Sequence, residues 1–280
     1  MMIFNNPQVN GIIDLALAED IGTGDVTTLA TIPQDAAAHG RFVAKEDMIL
    51  CGVALAEYIY HRVDATVAFT AHFADGDAVK KGDVIAEVSG NAQSLLIGER
   101  TALNFMQRLT GIATRTHEAV EKVAGTGARI TDTRKTTPGM RVLEKYAVRV
   151  GGGSNHRIGL SDGVLIKDNH IAAAHGITSA VNAARSVIPH TLKIEVEVEN
   201  EAQLAEALEA GADIIMLDNM TNEQMAKCVK IVDGRALVEA SGNMGDKDLK
   251  AVADTGVDII SIGALTHTVR AADISLKFDI

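Results

Sequence analysis

Residues 192–218 read LKIEVEVENEAQLAEALEAGADIIMLD, and this stretch decides the fold. Its first seven residues alternate, with Ile194, Val196 and Val198 on one face and Glu195, Glu197 and Glu199 on the other, which is the two-residue period of a strand. A polar Asn200 follows, then AQLAEALEA with apolar residues at helical spacing, Gly211 as a helix stop, and a second β-rich run, DIIML. Strand, helix and strand joined by short connections make one β/α unit. The same grammar extends outward in both directions. The apolar runs ARIT from Ala128, GVLI from Gly163, RALVE from Arg235 and DIISI from Asp258 add four strands. EQMAKCVKIV and KDLKAVADTG supply helices that end near Gly234 and Gly256. Six parallel strands are expected between about residues 129 and 265, in a barrel or a wound sheet.

Neither GxGxxG nor GxxxxGK[ST] follows any of these strands, which removes the usual support for a nucleotide-binding wound sheet. In β/α barrels the working groups gather at the C-terminal strand ends. Arg134, Lys135, Lys167, Asp168, Asp218 and Glu239 occupy those positions. If the strand at 192–198 lines a barrel, its glutamates point inward and need cations or strong donors; a solvated edge strand is the alternative. The chain's formal net charge is −11, against the basic surface that nucleic acid requires. From Arg129 to His170, however, eight Arg and Lys face four Asp and Glu. Such a basic island in an acidic protein suits a small polyanion, with a solvated helix face as the plainer explanation.

At 280 residues, with 47% apolar and 22% charged composition, the chain can form one large domain or a large and a small one. No stretch of transmembrane length occurs, and the start, MMIFNNPQVN, lacks the basic and apolar regions of a signal peptide. A soluble cytoplasmic protein with no membrane partner is expected. Cys51 and Cys228, far apart and outside any CxxC pattern, read as reduced structural thiols. The first 125 residues lack the β/α rhythm: a short amphipathic helix over 12–19 precedes strands and turns, so a separate smaller domain is expected. Within it HFADGDAVKKGDVIAEVSG resembles the hammerhead of lipoyl and biotinyl carriers. The carrier's MKM or DKA tip is missing, and the segment reads as scaffold.

Several stretches together carry a more specific resemblance: AEDIGTGDVTT from Ala18, GERTALNFMQRLTGIAT from Gly98, DTRKTTPGMRVLEKYAV from Asp132, GGGSNHRIGLSDGVLIKDNHI from Gly151, EVEVEN from Glu195, IIMLDNM from Ile214, EASGN from Glu239 and GALTH from Gly263. In this order, and over nearly the whole chain, they resemble quinolinate phosphoribosyltransferase. Departures are conservative, as at Ile21 and Met106. The resemblance implies an N-terminal α/β sandwich, residues 1–112 joined by a tail at 268–280, and an incomplete α/β barrel of the TIM type over 113–267. It also implies a homodimer, or a higher assembly built from it, in which one subunit completes the other's site.

The implied reaction joins quinolinate to phosphoribosyl pyrophosphate and releases pyrophosphate and carbon dioxide. Arginine forks bind carboxylates bidentately, so Arg134 and Arg157, with His156, suit the pyridine diacid. The resemblance adds Arg100, reaching in from the partner subunit, and Thr133 beside Arg134. Ser241, Gly242, Asn243, Gly263 and Ala264 lie where late barrel loops offer backbone N–H groups to a 5′-phosphate. Lys135 and Lys167 suit the pyrophosphate, Glu197 and Asp218 the ribose hydroxyls and the charge growing at C1′, and Asp218 with Glu239 a magnesium ion through water. Lys135, Glu197 and Asp218 are the candidate catalytic groups. A Schiff-base role for Lys167 in an aldolase, or a relative handling another pyridine, remain alternatives.

Overall fold

The structure is a computed structural model describing residues 6–279; residues 1–5 and 280, the outer ends of the expected small domain and its tail, lie outside the described residues. Two compact units divide the chain. One comprises residues 1–117, 137–152 and 268–280, the other 118–136 and 153–267. Among the described residues no helix is long and apolar enough to cross a membrane.

In the first unit the opening helix, Pro7–Ile21, is longer than its amphipathic pattern suggested. Pro7 sits where its missing N–H costs nothing, Asn6 accepts the Gln8 N–H at 2.9 Å, and Val9, Ile13 and Leu17 bury one stripe. An antiparallel sheet is built from β1 (Ala37–Ala44), β3 (Ala68–Ala71), β5 (Val84–Asn91) and β12 (Ile274–Asp279), in the order β12-β1-β5-β3, beside a small β2 (Met48–Ile49) and β4 (Ala78–Val79) pair. The C-terminal segment thus returns to the N-terminal part, with Arg41 opposite Lys277. Phe42, on the covered face of β1, packs with Tyr60 and Phe69 at ring centroids of 6.2 and 5.9 Å. In the carrier-like segment Lys80 is tied to Asp47 at 2.9 Å, as scaffold.

Residues 137–152 group with the first unit. The reason is a buried polar contact. Glu144, on the helix Arg141–Val150, has no solvent exposure and accepts from Arg108 Nε at 2.9 Å and from the Thr137 N–H at 3.0 Å. Arg108 lies on the 31-residue helix Ala92–Lys122. A carboxylate removed from water needs such partners, and they fix where the segment lies.

The second unit contains the six expected strands: β6 (Arg129–Thr131), β7 (Val164–Ile166), β8 (Ile194–Val198), β9 (Ile214–Asp218), β10 (Leu237–Ser241) and β11 (Ile259–Ser261). All pair in parallel in the order β6-β11-β10-β9-β8-β7. First and last strands are therefore neighbours, which makes the sheet a barrel rather than a wound sheet. No ladder joins β6 to β7 among the described residues, and only a single bridge from Thr131 to Ser154 extends that edge, so the barrel is incomplete. Helices follow the strands and bury one stripe each, such as Leu204 and Ala207 or Met225, Cys228 and Val232. Fully burying one Leu or Val side chain contributes about 1.5 to 3 kcal/mol. Side-chain caps start them: Asn200 accepts the Gln203 N–H at 3.0 Å, and Thr221 with Gln224 forms a capping box. Each helix starts soon after its strand stops, so strand-end residues open onto one set of loops. Cys51 and Cys228 are free and buried.

Candidate active site

A cavity of about 510 Å³ opens at those strand ends. Thr133, Arg134 and Lys135 enter it after β6, His156 and Arg157 after the Ser154 bridge, and Lys167 after β7. Glu197 comes from β8, Asp218 from the end of β9, Glu239 and Ser241 from β10, Gly242 and Asn243 from the following loop, Gly263 from the loop after β11, and Ala264 from the start of the helix Ala264–His267. The residues expected to bind substrate or metal thus line this cavity, except Arg100, which is exposed on the helix Ala92–Lys122; the strand-end Asp168 is also outside the lining. The alternation of β8 holds for Glu195, which is buried, and Glu197. It fails for Glu199, exposed beyond the strand's last residue, where its N–H turns to Gln203 at 2.8 Å.

Anion-binding character follows from the cations. Arg157 Nη1 donates to the Gly163 carbonyl at 2.9 Å, while its Nε is buried with no partner. Burial first, and the neighbouring charge of Arg134 second, push the Arg157 pKa down, so an anion placed between the two guanidiniums would relieve both costs. Thr133 Oγ1 accepts the Lys135 N–H at 3.0 Å and shapes the turn that presents both residues. Lys167 is ion-paired to Glu197, which pre-places an ammonium and a carboxylate at the mouth of β7 and β8. Asp218 accepts from Asn219 Nδ2 at 2.7 Å.

Beneath the cations lie carboxyls whose roles the sequence did not reveal. Asp132, fully buried, accepts the His156 N–H at 2.9 Å and Asn155 Nδ2 at 2.5 Å. His156 Nε2 lies 3.1 Å from Glu195 and 3.8 Å from Glu239. Burial, then repulsion from Glu195, push the Glu239 carboxyl up to about 8, and His156 pulls it partly back. The folded state therefore holds this proton more tightly than the unfolded chain does. The stability it contributes is complete below the ordinary glutamate value of 4.5 and is lost as pH rises through about 8. Thermal unfolding against pH should accordingly show the wild type losing ground to Glu239→Gln across that window; parallel curves would contradict the assignment.

The loop after β10 is shaped for close backbone approach. Gly242 has φ +89°, Asn243 follows at φ 51°, and a 3-10 turn spans Met244–Asp246. A Cβ on Gly242 would stand 2.2 Å from Asn219 Oδ1. Gly242→Ala should therefore displace the Asn219 and Asn243 turns and cost about 1 to 3 kcal/mol of stability, read as a lowered thermal midpoint; an unchanged midpoint would contradict the close approach. Asn219, Met244, Asp246, Ser261 and His267 also line the cavity without having been singled out. The only signal for Asn219 was its place in IIMLDNM directly after Asp218.

Family comparison agrees with this geometry. Residues 25–110 match the family model described as quinolinate phosphoribosyl transferase, N-terminal domain, and residues 112–277 match the C-terminal domain of the same family. A Bacillus subtilis protein named probable nicotinate-nucleotide pyrophosphorylase [carboxylating] is 47% identical over 272 residues, covering 97% of this chain and 94% of its own length. The chloroplastic nicotinate-nucleotide pyrophosphorylase [carboxylating] of Arabidopsis thaliana is 46% identical, over 97% of this chain and 83% of that one. The solved nicotinate-nucleotide pyrophosphorylase of Francisella tularensis superposes with a TM-score of 0.91 at 41% identity, covering 97% of this chain and 96% of that one.

Proposed function

The chain belongs to the quinolinate phosphoribosyltransferase family and converts quinolinate and phosphoribosyl pyrophosphate to nicotinate mononucleotide, pyrophosphate and carbon dioxide for NAD synthesis; from that premise we propose how its barrel cavity divides the work. Arg134 and Arg157 take the two carboxylates of quinolinate, with His156 alongside. The observation that carries this is the buried, unpartnered Nε of Arg157 beside a second guanidinium, a donor set that a carboxylate completes. The loop at Ser241, Gly242 and Asn243 and the turn at Gly263 and Ala264 hold the 5′-phosphate through backbone N–H groups.

Lys135 and Lys167 hold the pyrophosphate, and Glu197 and Asp218 the ribose hydroxyls, so substrates re-partner the Lys167–Glu197 pair. The C1′–oxygen bond breaks and its electron pair leaves with pyrophosphate. Glu197 and Asp218 stabilise the positive charge left at C1′. The pyridine nitrogen lone pair then forms the new bond to C1′. The quaternised ring accepts the electrons of the adjacent carbon–carboxylate bond, carbon dioxide departs, and the ring carbon takes up a proton. No base is required at the nitrogen.

Magnesium arriving with the pyrophosphate would neutralise the leaving group's charge. Asp218, which lines the cavity and is only partly buried, fits as the carboxylate that holds its water; buried Glu239 fits only once its proton is displaced. Arg100 completes the site of the partner subunit in a homodimer, a role supported by its exposure on the helix Ala92–Lys122 and by the match of that segment to the family. A cytoplasmic location belongs to the same reading, supported by the likeness to the Bacillus subtilis protein. The clamp is tested by substrate choice: nicotinate, with one carboxylate, should not replace quinolinate at any concentration that quinolinate saturates. Equal turnover would show that the second carboxylate is not read.

A further inference from the structure

At the cavity floor both ring nitrogens of His156 have partners. The Arg157 backbone N–H donates to Nδ1 at 2.8 Å, so Nδ1 carries no proton. The ring's proton therefore sits on Nε2, 3.1 Å from Glu195 Oε2 and 3.8 Å from Glu239 Oε1; only the first is a hydrogen bond. The same tautomer disfavours the cluster of His156, Glu195 and Glu239, whose ligand atoms lie within 4.8 Å of one another, as a cation site. An Nε2 that binds metal needs its proton on Nδ1, where the Arg157 amide already donates.

Glu195 occupies the position two residues before Glu197 on the inward face of β8, one layer below it, and only 3% of its surface is exposed. Burying a carboxylate there is costly unless it holds something in place. Its Oε2 meets the His156 ring, its Oε1 is buried without a hydrogen bond, and the Glu239 carboxyl lies beside it. From His156 the chain of contacts runs on to Arg157: amide to Nδ1, Nη1 to the Gly163 carbonyl at 2.9 Å, and Nε left for an incoming acceptor. Asp132 secures the other side through the His156 N–H.

We propose that Glu195 is a positioning residue for quinolinate recognition: by accepting the Nε2–H of His156 it holds the tautomer whose other nitrogen anchors the Arg157 amide, and so aims the Arg157 guanidinium. The proposal rests on the reading that Arg157 takes a quinolinate carboxylate. Glu195 touches no substrate and acts through His156, so its loss affects one substrate selectively.

The test combines histidine ¹⁵N NMR on the full-length enzyme with steady-state kinetics. The His156 signal, identified by its disappearance in His156→Gln, should be that of a neutral Nε2–H imidazole. It should persist in Glu195→Gln, whose amide oxygen accepts the same proton, and be lost in Glu195→Leu. Quinolinate KM should rise about 10- to 100-fold in Glu195→Leu, the loss expected of one hydrogen bond to a charged group, with phosphoribosyl pyrophosphate KM little changed, and Glu195→Gln should recover most of it. An Nδ1–H signal from His156 in the wild type overturns the proposal. So does an unchanged quinolinate KM in Glu195→Leu, or an equal rise for both substrates. Failure of the clamp itself shows separately, as unchanged quinolinate affinity in Arg157→Ala, and removes the recognition role whatever the tautomer.

Discussion

Replacing Arg157 by alanine should weaken quinolinate binding by about 2 to 5 kcal/mol, from tens to thousands of fold, and Arg134→Ala should do the same. The size follows from what is left behind. A dicarboxylate in a cavity at the strand ends loses one of its two guanidinium partners and keeps the desolvation cost of its own charge. The fold should hardly notice. Arg157's neighbouring like charge on Arg134 and its own burial already act against the charged form, so the empty enzyme gives up little when that cation goes. Calorimetry with quinolinate, set beside thermal unfolding of the free enzyme, separates the two effects. Unchanged quinolinate affinity in both variants would remove the clamp.

A second large effect concerns Arg100 and requires two chains. Arg100→Ala and Lys135→Ala should each be nearly inactive alone, for different reasons. Lys135 lines the cavity of its own chain, whereas Arg100 is exposed on the helix Ala92–Lys122 and does not. If Arg100 serves the partner's site, a mixed dimer contains one site with both groups intact. Random pairing makes half the dimers mixed, so co-refolding should restore roughly a quarter of normal activity. No recovery after demonstrated subunit exchange would put Arg100 in its own chain's site or outside any site.

How much of this was legible in the sequence follows from the range of the forces involved. Periodicity is local, and the alternation at 194–198 with the helix and strand after it was enough for six parallel strands and for charges at their ends. The grouping of 137–152 with the first unit was not legible, because it goes with a bond between Arg108 and Glu144, 36 positions apart, and with the burial of Glu144 and Lys145, which their residue types do not announce. Arg134, Lys135, Lys167 and Asp218 were found because a barrel sends strand ends to one place. Asp132 and Glu195 were missed as parts of the site since their work is to hold His156, and nothing in EVEVEN distinguishes a glutamate that meets substrate from one that meets an imidazole. Asn219 packs against the Gly242 turn through a left-handed backbone conformation that an Asn permits but does not announce.

On the proposed reading one cavity breaks the bond to pyrophosphate and the bond to carbon dioxide in a single turnover, with no other cofactor for the decarboxylation. Quinolinate labelled in its 2-carboxylate, incubated with the purified enzyme, magnesium and phosphoribosyl pyrophosphate, tests it most directly. Labelled carbon dioxide, pyrophosphate and nicotinate mononucleotide should appear in equal amounts, and none should form when phosphoribosyl pyrophosphate is withheld. Carbon dioxide released without phosphoribosyl pyrophosphate, or pyrophosphate formed without carbon dioxide, would contradict the account.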